Sequence, residues 1–331
     1  MKKAIRYALL LFILLLQHLH SFCWGFYAHQ KINYYAVFLL PPEMILLYKP
    51  NILFLGEHAV DPDKRRYAVP AEAARHYIDI DHYGAYPYES LPRKWADAVA
   101  KFGEDSLKEY GIVPWHIQNM LYRLTDAFKT KNFTLIMKAS TEIGHYIADA
   151  HVPLHACSNH NGQFSNQKGI HAFWESRVPE LLAEKDPMTI GFDFFIGKAV
   201  YIQNPGDFIW KRVLESARAA DSVLAFEREL TLQFPDDKKY SFEERNGKII
   251  RQYAVAFTIA YNKKLDGMIE RRMRQSIFAI ASFWYTAWVN AGQPDLKELV
   301  DKKFSDADLK EFEQLNAQWS SGSKMIGREE Q

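Results

Sequence analysis

Thr141 to His155 reads TEIGHYIADAHVPLH, and two properties of this stretch decide how the chain is understood. Its apolar residues recur at helical spacing, and His145 and Asp149 lie four residues apart, so imidazole and carboxylate stand on one helix face where they can grip one metal ion. Pro153 should end or bend that helix. His155 therefore leaves the helix line and can reach a second ion. A little downstream, His171 to Glu175 reads HAFWE, which repeats the four-residue spacing of imidazole and carboxylate. Working outward, helical apolar spacing also marks Lys94 to Phe102, His116 to Phe128, Asn132 to His151, Phe208 to Leu230, Gly247 to Gly267 and Met268 to Asn290. Strand alternation is scarce. The reading is an all-α fold, a single multi-helix domain with a metal-binding cleft.

The 331 residues, 48% apolar and 15% aromatic, are enough to bury a large core. No repeat, low-complexity tract or Gly/Ser/Pro linker divides them. Lys plus Arg is 41 against 40 for Asp plus Glu, so no basic field marks an obligate duplex-binding surface. A nucleic acid held by metals is still allowed. At the N-terminus Lys2, Lys3 and Arg6 precede the apolar run Tyr7 to Leu16, and Gln17, His18 and His20 end it. Residues 1–23 thus read as a signal peptide cleaved before Trp24, and the protein as exported, periplasmic or extracellular. An uncleaved anchor competes, because Phe22 and Cys23 are not the small residues usual at a cleavage site. Cys23 and Cys157 are the only cysteines, so cleavage leaves one thiol and stability falls to packing and metal. Residues 24–300 form the domain and 301–331 a charged C-terminal extension, ending in a polar tail after Trp319.

Two stretches are rich in candidate ligands. One, from His58 to His82, holds His58, Asp61, Asp63, His76, Asp79, Asp81 and His82; the other, from His155 to Gly169, is full of Asn, Gln, Ser and Gly. A single HxxxD is more often an ion pair or a core histidine than a ligand pair. Several together shift the balance towards nitrogen and oxygen ligation of zinc. His82, His116 and His160 lack a metal partner at helical spacing and His151 lies two residues past Asp149 on a different face, so all four read as structural or supporting, and Arg271 to Arg274 as a solvated helix face. Lys64, Arg65 and Arg66 adjoin Asp63 and suit a substrate phosphate or the fixing of a carboxylate. Phe26, Tyr27, Tyr67, Tyr77, Tyr83, Phe164, Phe173 and Trp174 read either as base-stacking surfaces or as core. Structural zinc sites favour Cys, so this His and carboxylate set points to open, catalytic sites; a zinc-stabilised binding protein without catalysis is the rival.

The run GHYIADAHVPLH resembles the signature of the zinc-dependent phospholipase C and single-strand-specific zinc nuclease superfamily. The resemblance implies a helical phosphodiester hydrolase with three zinc ions whose mature chain begins at Trp24, the amine and carbonyl of that residue ligating metal. It assigns Trp24 and His29 to one ion, His76, His145 and Asp149 to a second, and His155, His171 and Glu175 to a third, with Asp149 bridging the first two. An acidic ligand or proton acceptor falls at Asp61 or Asp63. Asp63 is favoured because DKRR copies the Asp-x-x-Arg pattern of the nuclease branch, whereas Asp61 sits at the longer family spacing from RHYID. Clustered zinc brings the pKa of a water to near neutral and neutralises phosphate oxygens. The substrate is a phospholipid headgroup, with peripheral membrane contact, or a single-stranded nucleic acid. Glu175 favours the phospholipase branch and the short spacing from Trp24 to His29 the nucleases. No obligate protein partner is evident.

Overall fold

Apolar spacing between His116 and Phe128 and between Asn132 and His151 is realised as two antiparallel helices, Val113–Lys129 and Phe133–Ala150, in a computed structural model of the protein. The structure describes residues 26–184, 191–245, 247–321 and 325–326; the signal-peptide reading and Trp24 lie outside them. Asn132 caps the second helix, accepting from the Leu135 amide at 3.0 Å, so an otherwise orphan N–H is satisfied where the helix begins. Two further long helices, Pro205–Thr231 and Met268–Asn290, complete the body. The chain is mostly helical, with one two-stranded sheet among the described residues. No helix among them is long and apolar enough to cross a membrane.

The centre of the core is built around the helix that carries the quoted motif. Trp284, fully buried, lies with its ring centroid 5.1 Å from that of Tyr48. Its indole N–H donates to the Ser140 carbonyl at 3.0 Å, and the Tyr48 hydroxyl meets Ser140 Oγ at 2.8 Å. Two large aromatic residues thus bury their area and still satisfy their polar ends. One turn further on, Gly144 faces the Phe26–Ala36 helix. A Cβ at that position would lie 2.0 Å from Asn33 Oδ1, so with Asn33 in place it is glycine that lets the two helices approach this closely. That approach sets His29 and His145 ring to ring, with centroids 4.0 Å apart.

Two sequence expectations are corrected. The stretch from Gly247 to Gly267 is not one helix: Tyr240–Arg245 and Lys248–Tyr253 pair as an antiparallel hairpin, Tyr240 opposite Tyr253 and Phe242 opposite Arg251, and a helix follows only over Val255–Lys264. The Asn-Gly pair in the sequence and the isoleucines at 249 and 250 carried that signal. Arg271 to Arg274 is not a wholly solvated face. Arg272 is buried and donates to the His151 carbonyl at 2.7 Å, satisfying an acceptor at the end of the motif helix; burial lowers its pKa to about 10. The charged extension contains the Asp306–Ser320 helix, opened by a Ser305/Asp308 capping box. Phe312 on it packs 4.4 Å from His58 and 5.4 Å from Phe54, centroid to centroid. The polar tail beyond Ser321 lies outside the described residues except for Met325 and Ile326.

Gly144→Ala should destabilise the protein by about 1–3 kcal/mol through overpacking, and Asn33→Ala should relieve part of that loss in the double variant. Chemical denaturation of the four proteins of this cycle measures the coupling. Additive effects would mean that Asn33 is not what glycine accommodates.

Candidate metal centre

Four segments of the chain bring the candidate ligands together. The motif helix supplies His145 and Asp149; its C-terminal break at His151 leads into a 3-10 turn, Pro153–Ala156, which carries His155 out of the helix line. His171 and Glu175 come from a helix that begins at Ile170–Ala172 and continues through a π-helical turn, Phe173–Arg177. The long surface between Ile52 and Tyr83 folds inward to deliver Asp63, on the Asp61–Arg65 helix, and His76, just after the Ala73–Arg75 turn. His29 arrives from the Phe26–Ala36 helix. All eight side chains are buried.

Two centres result. In the first, Asp149 spans two sets of imidazoles: Oδ1 lies 3.3 Å from His29 Nε2, while Oδ2 lies 3.1 Å from His76 Nδ1 and 3.2 Å from His145 Nε2. His145 Nε2 and His76 Nδ1 are themselves 3.0 Å apart, and Asp63 Oδ1 stands 3.7 Å from each. In the second, His155 Nε2 and His171 Nε2 face each other at 3.2 Å, with Glu175 oxygens 3.3 Å and 2.5 Å away. The centres adjoin, for the His76 carbonyl accepts the Nδ1–H of His155 at 2.6 Å.

The protons explain why these groupings could hold metal. His145 Nδ1 donates to the Ala59 carbonyl at 2.8 Å and His171 Nδ1 to the His160 carbonyl at 3.1 Å. With His155 anchored likewise, three neutral imidazoles keep their proton on Nδ1 and turn the lone pair of Nε2 inward. Lone pairs and carboxylate oxygens converging in a space without water repel unless a cation or added protons lie among them. Three groups have donor atoms close enough to share an ion: His29 with His145 and Asp149, Asp63 with His76 and His145, and His155 with His171 and Glu175. The residues present therefore fit metal ions bound by nitrogen and oxygen.

The electrostatics agree with the geometry. Where added protons take the cation's place, burial would raise the Asp149 carboxyl, but protonated His145 and His155 beside it and hydrogen bonds from His145 and His29 hold it well below the ordinary range. Glu175 is likewise held low against burial by His171 and His155. Burial works against protonation of His76 too, yet Asp149, Glu72 and Asp63 raise it to about 9. Metal must displace that proton, so loading should weaken as pH falls.

Other candidates sit elsewhere. Asp61 belongs to a separate network, with His58 Nδ1 at 2.7 Å and Lys64 Nζ at 2.9 Å; those two partners turn it away from the imidazoles, and Asp63 takes the inward position. Lys64 is thereby engaged by Asp61, and Arg65 by Glu72 and Glu142 at 3.2 Å and 2.8 Å. His82 stacks on Tyr110, and the ring of His116 meets the Tyr146 ring edge to face. Tyr77, Tyr83, Phe173 and Trp174 are buried, whereas Phe164 is exposed. Glu72 is a residue that sequence reading passed over. It is fully buried, with Arg65, Arg75 and the Tyr146 hydroxyl on its carboxylate. The signal was its place four residues before His76, the same carboxylate and imidazole spacing with the order reversed.

No protein-family model matches the chain, and no curated protein matches it either.

Burial, helped by Arg75, depresses His116 from 6.5 to about 3. Between those values the unfolded chain binds a proton that the native chain refuses, so stability should fall as pH drops through this window, by up to about 1.4 kcal/mol per pH unit. His116→Phe should flatten the slope of unfolding free energy between about pH 6.5 and about pH 5 by one proton. Denaturant melts across that range measure it, and an unchanged slope would place the titration on another group.

Proposed function

We propose that the protein is a zinc-dependent hydrolase of phosphodiester bonds, phospholipase C-like in its chemistry. The observation that carries this reading is the placement of Asp149, whose two oxygens face different imidazoles while a second His–carboxylate centre adjoins through the backbone of His76. Adjacent cations suit a phosphate ester, whose attacking and leaving oxygens both need charge neutralised. The sequence resemblance supports the same class, and the near absence of Cys among the donors favours sites that leave a position open.

In this reading His29, His76, His145 and Asp149, with Asp63, hold the ions of the first centre, and His155, His171 and Glu175 hold that of the second. Trp24 would add its amine and carbonyl to the first once the signal peptide is removed. Bound zinc would supply Lewis-acid polarisation of the phosphoryl group and a water acidic enough to ionise near neutral pH. The chain's own contributions are positional. Backbone carbonyls of Ala59, His76 and His160 fix the ring orientations before any ligand arrives, so little reorganisation remains at the moment of reaction. Asp63, the carboxylate set farthest from the imidazole nitrogens at 3.7 Å, is placed to accept a proton from the attacking water. Asp149 keeps neighbouring imidazoles in register.

Glu175 favours a phospholipid over a nucleic acid. The test compares phosphatidylcholine, single-stranded DNA and bis-p-nitrophenyl phosphate as substrates for the exported, N-terminally sequenced protein. Phosphatidylcholine turnover that stops with chelator and returns with zinc is expected. Hydrolysis of DNA alone would move the assignment to a nuclease, and a zinc-replete protein that cleaves none of the three would make it a binding protein.

Asp149→Ala should lose zinc and lower kcat/KM by at least about 100-fold, whereas Asp61→Asn should change kcat/KM by less than about 10-fold. Metal analysis alongside initial rates separates them; full zinc content and activity in Asp149→Ala would sink the proposal.

A further inference from the structure

His76 differs from its neighbours in the direction its ring faces. His145, His155 and His171 each tie Nδ1 to a backbone carbonyl and turn Nε2 inward. His76 does the reverse: its Nδ1 is the inward atom, 3.0 Å from His145 Nε2 and 3.1 Å from Asp149 Oδ2. If Nδ1 is the donor to a metal, the proton of the neutral ring must sit on Nε2. That nitrogen is buried without a hydrogen-bond partner among the described residues, and Glu72 Oε1 stands 3.6 Å from it.

Glu72 is placed for one task. Its Oε2 takes Arg65 Nε at 3.2 Å and Arg75 Nη1 at 2.7 Å, and Oε1 takes the Tyr146 hydroxyl. Two guanidiniums on its oxygens offset the charge of this fully buried carboxylate. Arg65 closes the Asp61–Arg65 helix that bears Asp63, and it also grips Glu142 and Tyr146. One buried cluster thus braces the backs of Asp63 and His76 together.

We infer that Glu72 is a positioning residue for the first metal centre, its buried carboxylate facing Nε2 of His76 and drawing the ring proton to that nitrogen so that Nδ1 is presented to the ion. The role rests on the metal reading proposed above. A carboxylate behind a ligand histidine fixes its tautomer and raises its basicity, and loss of such a partner typically weakens metal affinity about 10–100-fold.

The test titrates zinc into the chelator-stripped mature protein against a chromophoric competitor, for wild type, Glu72→Ala and Glu72→Gln. Glu72→Gln keeps an oxygen towards the two arginines and serves if Glu72→Ala does not fold. Both variants should bind zinc at the centre containing His76 about 10–100-fold more weakly, with unchanged affinity at the centre of His155, His171 and Glu175. Nitrogen-15 NMR of the imidazoles should show a protected Nε2–H on His76 in the zinc-loaded wild type, exchanging faster in Glu72→Gln. Wild-type affinities throughout, or an equal loss at both centres with a lower apo melting temperature, would make Glu72 purely structural and overturn the inference. A wild type that binds no zinc would overturn the metal reading itself, and this role with it.

Discussion

The rest of the molecule depends on one constraint: five imidazoles and three carboxylates are packed out of water with their acceptor atoms turned towards one another. Such an arrangement costs folding free energy in the bare chain, since buried charge and facing lone pairs are penalised together. The surrounding structure is what makes it tolerable. Trp284, Tyr48 and Ser140 clamp the motif helix from behind. Gly144 admits the helix of His29, and Arg272 satisfies the backbone where the motif helix stops. A core this committed to holding unfavourable neighbours gains most from a ligand that binds only the folded state.

Around that centre the charges are layered. Asp149 and Glu175 face the imidazoles directly, and outside them Glu72 is neutralised by Arg65 and Arg75, while Asp61 is neutralised by Lys64. Lys64 and Arg65, next to Asp63, therefore have carboxylate partners inside the protein. Their work is to hold anionic groups in place.

Much of this was legible beforehand because helix periodicity is local information. His145 with Asp149, and His171 with Glu175, are one helical turn apart, and the side chains meet as that spacing requires. Pro153 marked the bend that frees His155. What stayed hidden depends on tertiary contact. Whether Asp61 or Asp63 turns inward is decided by His58 and Lys64 claiming the first, and no local pattern states that preference. Glu72 stands four residues before His76, a local signal, but its other partners Arg65, Arg75 and Tyr146 come from three separate segments. The hairpin over 240–253 was missed for another reason: its isoleucines and aromatic residues satisfy a helical count almost as well as an alternating one, and the Asn-Gly pair was the signal to weigh.

The anchoring of three rings on the carbonyls of Ala59, His76 and His160 has a consequence for how such a site can change over time. A carbonyl is common to every amino acid, so the identity of the side chain at Ala59 or His160 is uncoupled from ring orientation, and these loops can diverge in sequence without turning an imidazole. Length is another matter. One residue inserted or deleted beside either carbonyl would move the acceptor and leave the ring free to rotate. The stretches around Ala59 and His160 should therefore vary in composition while holding their length.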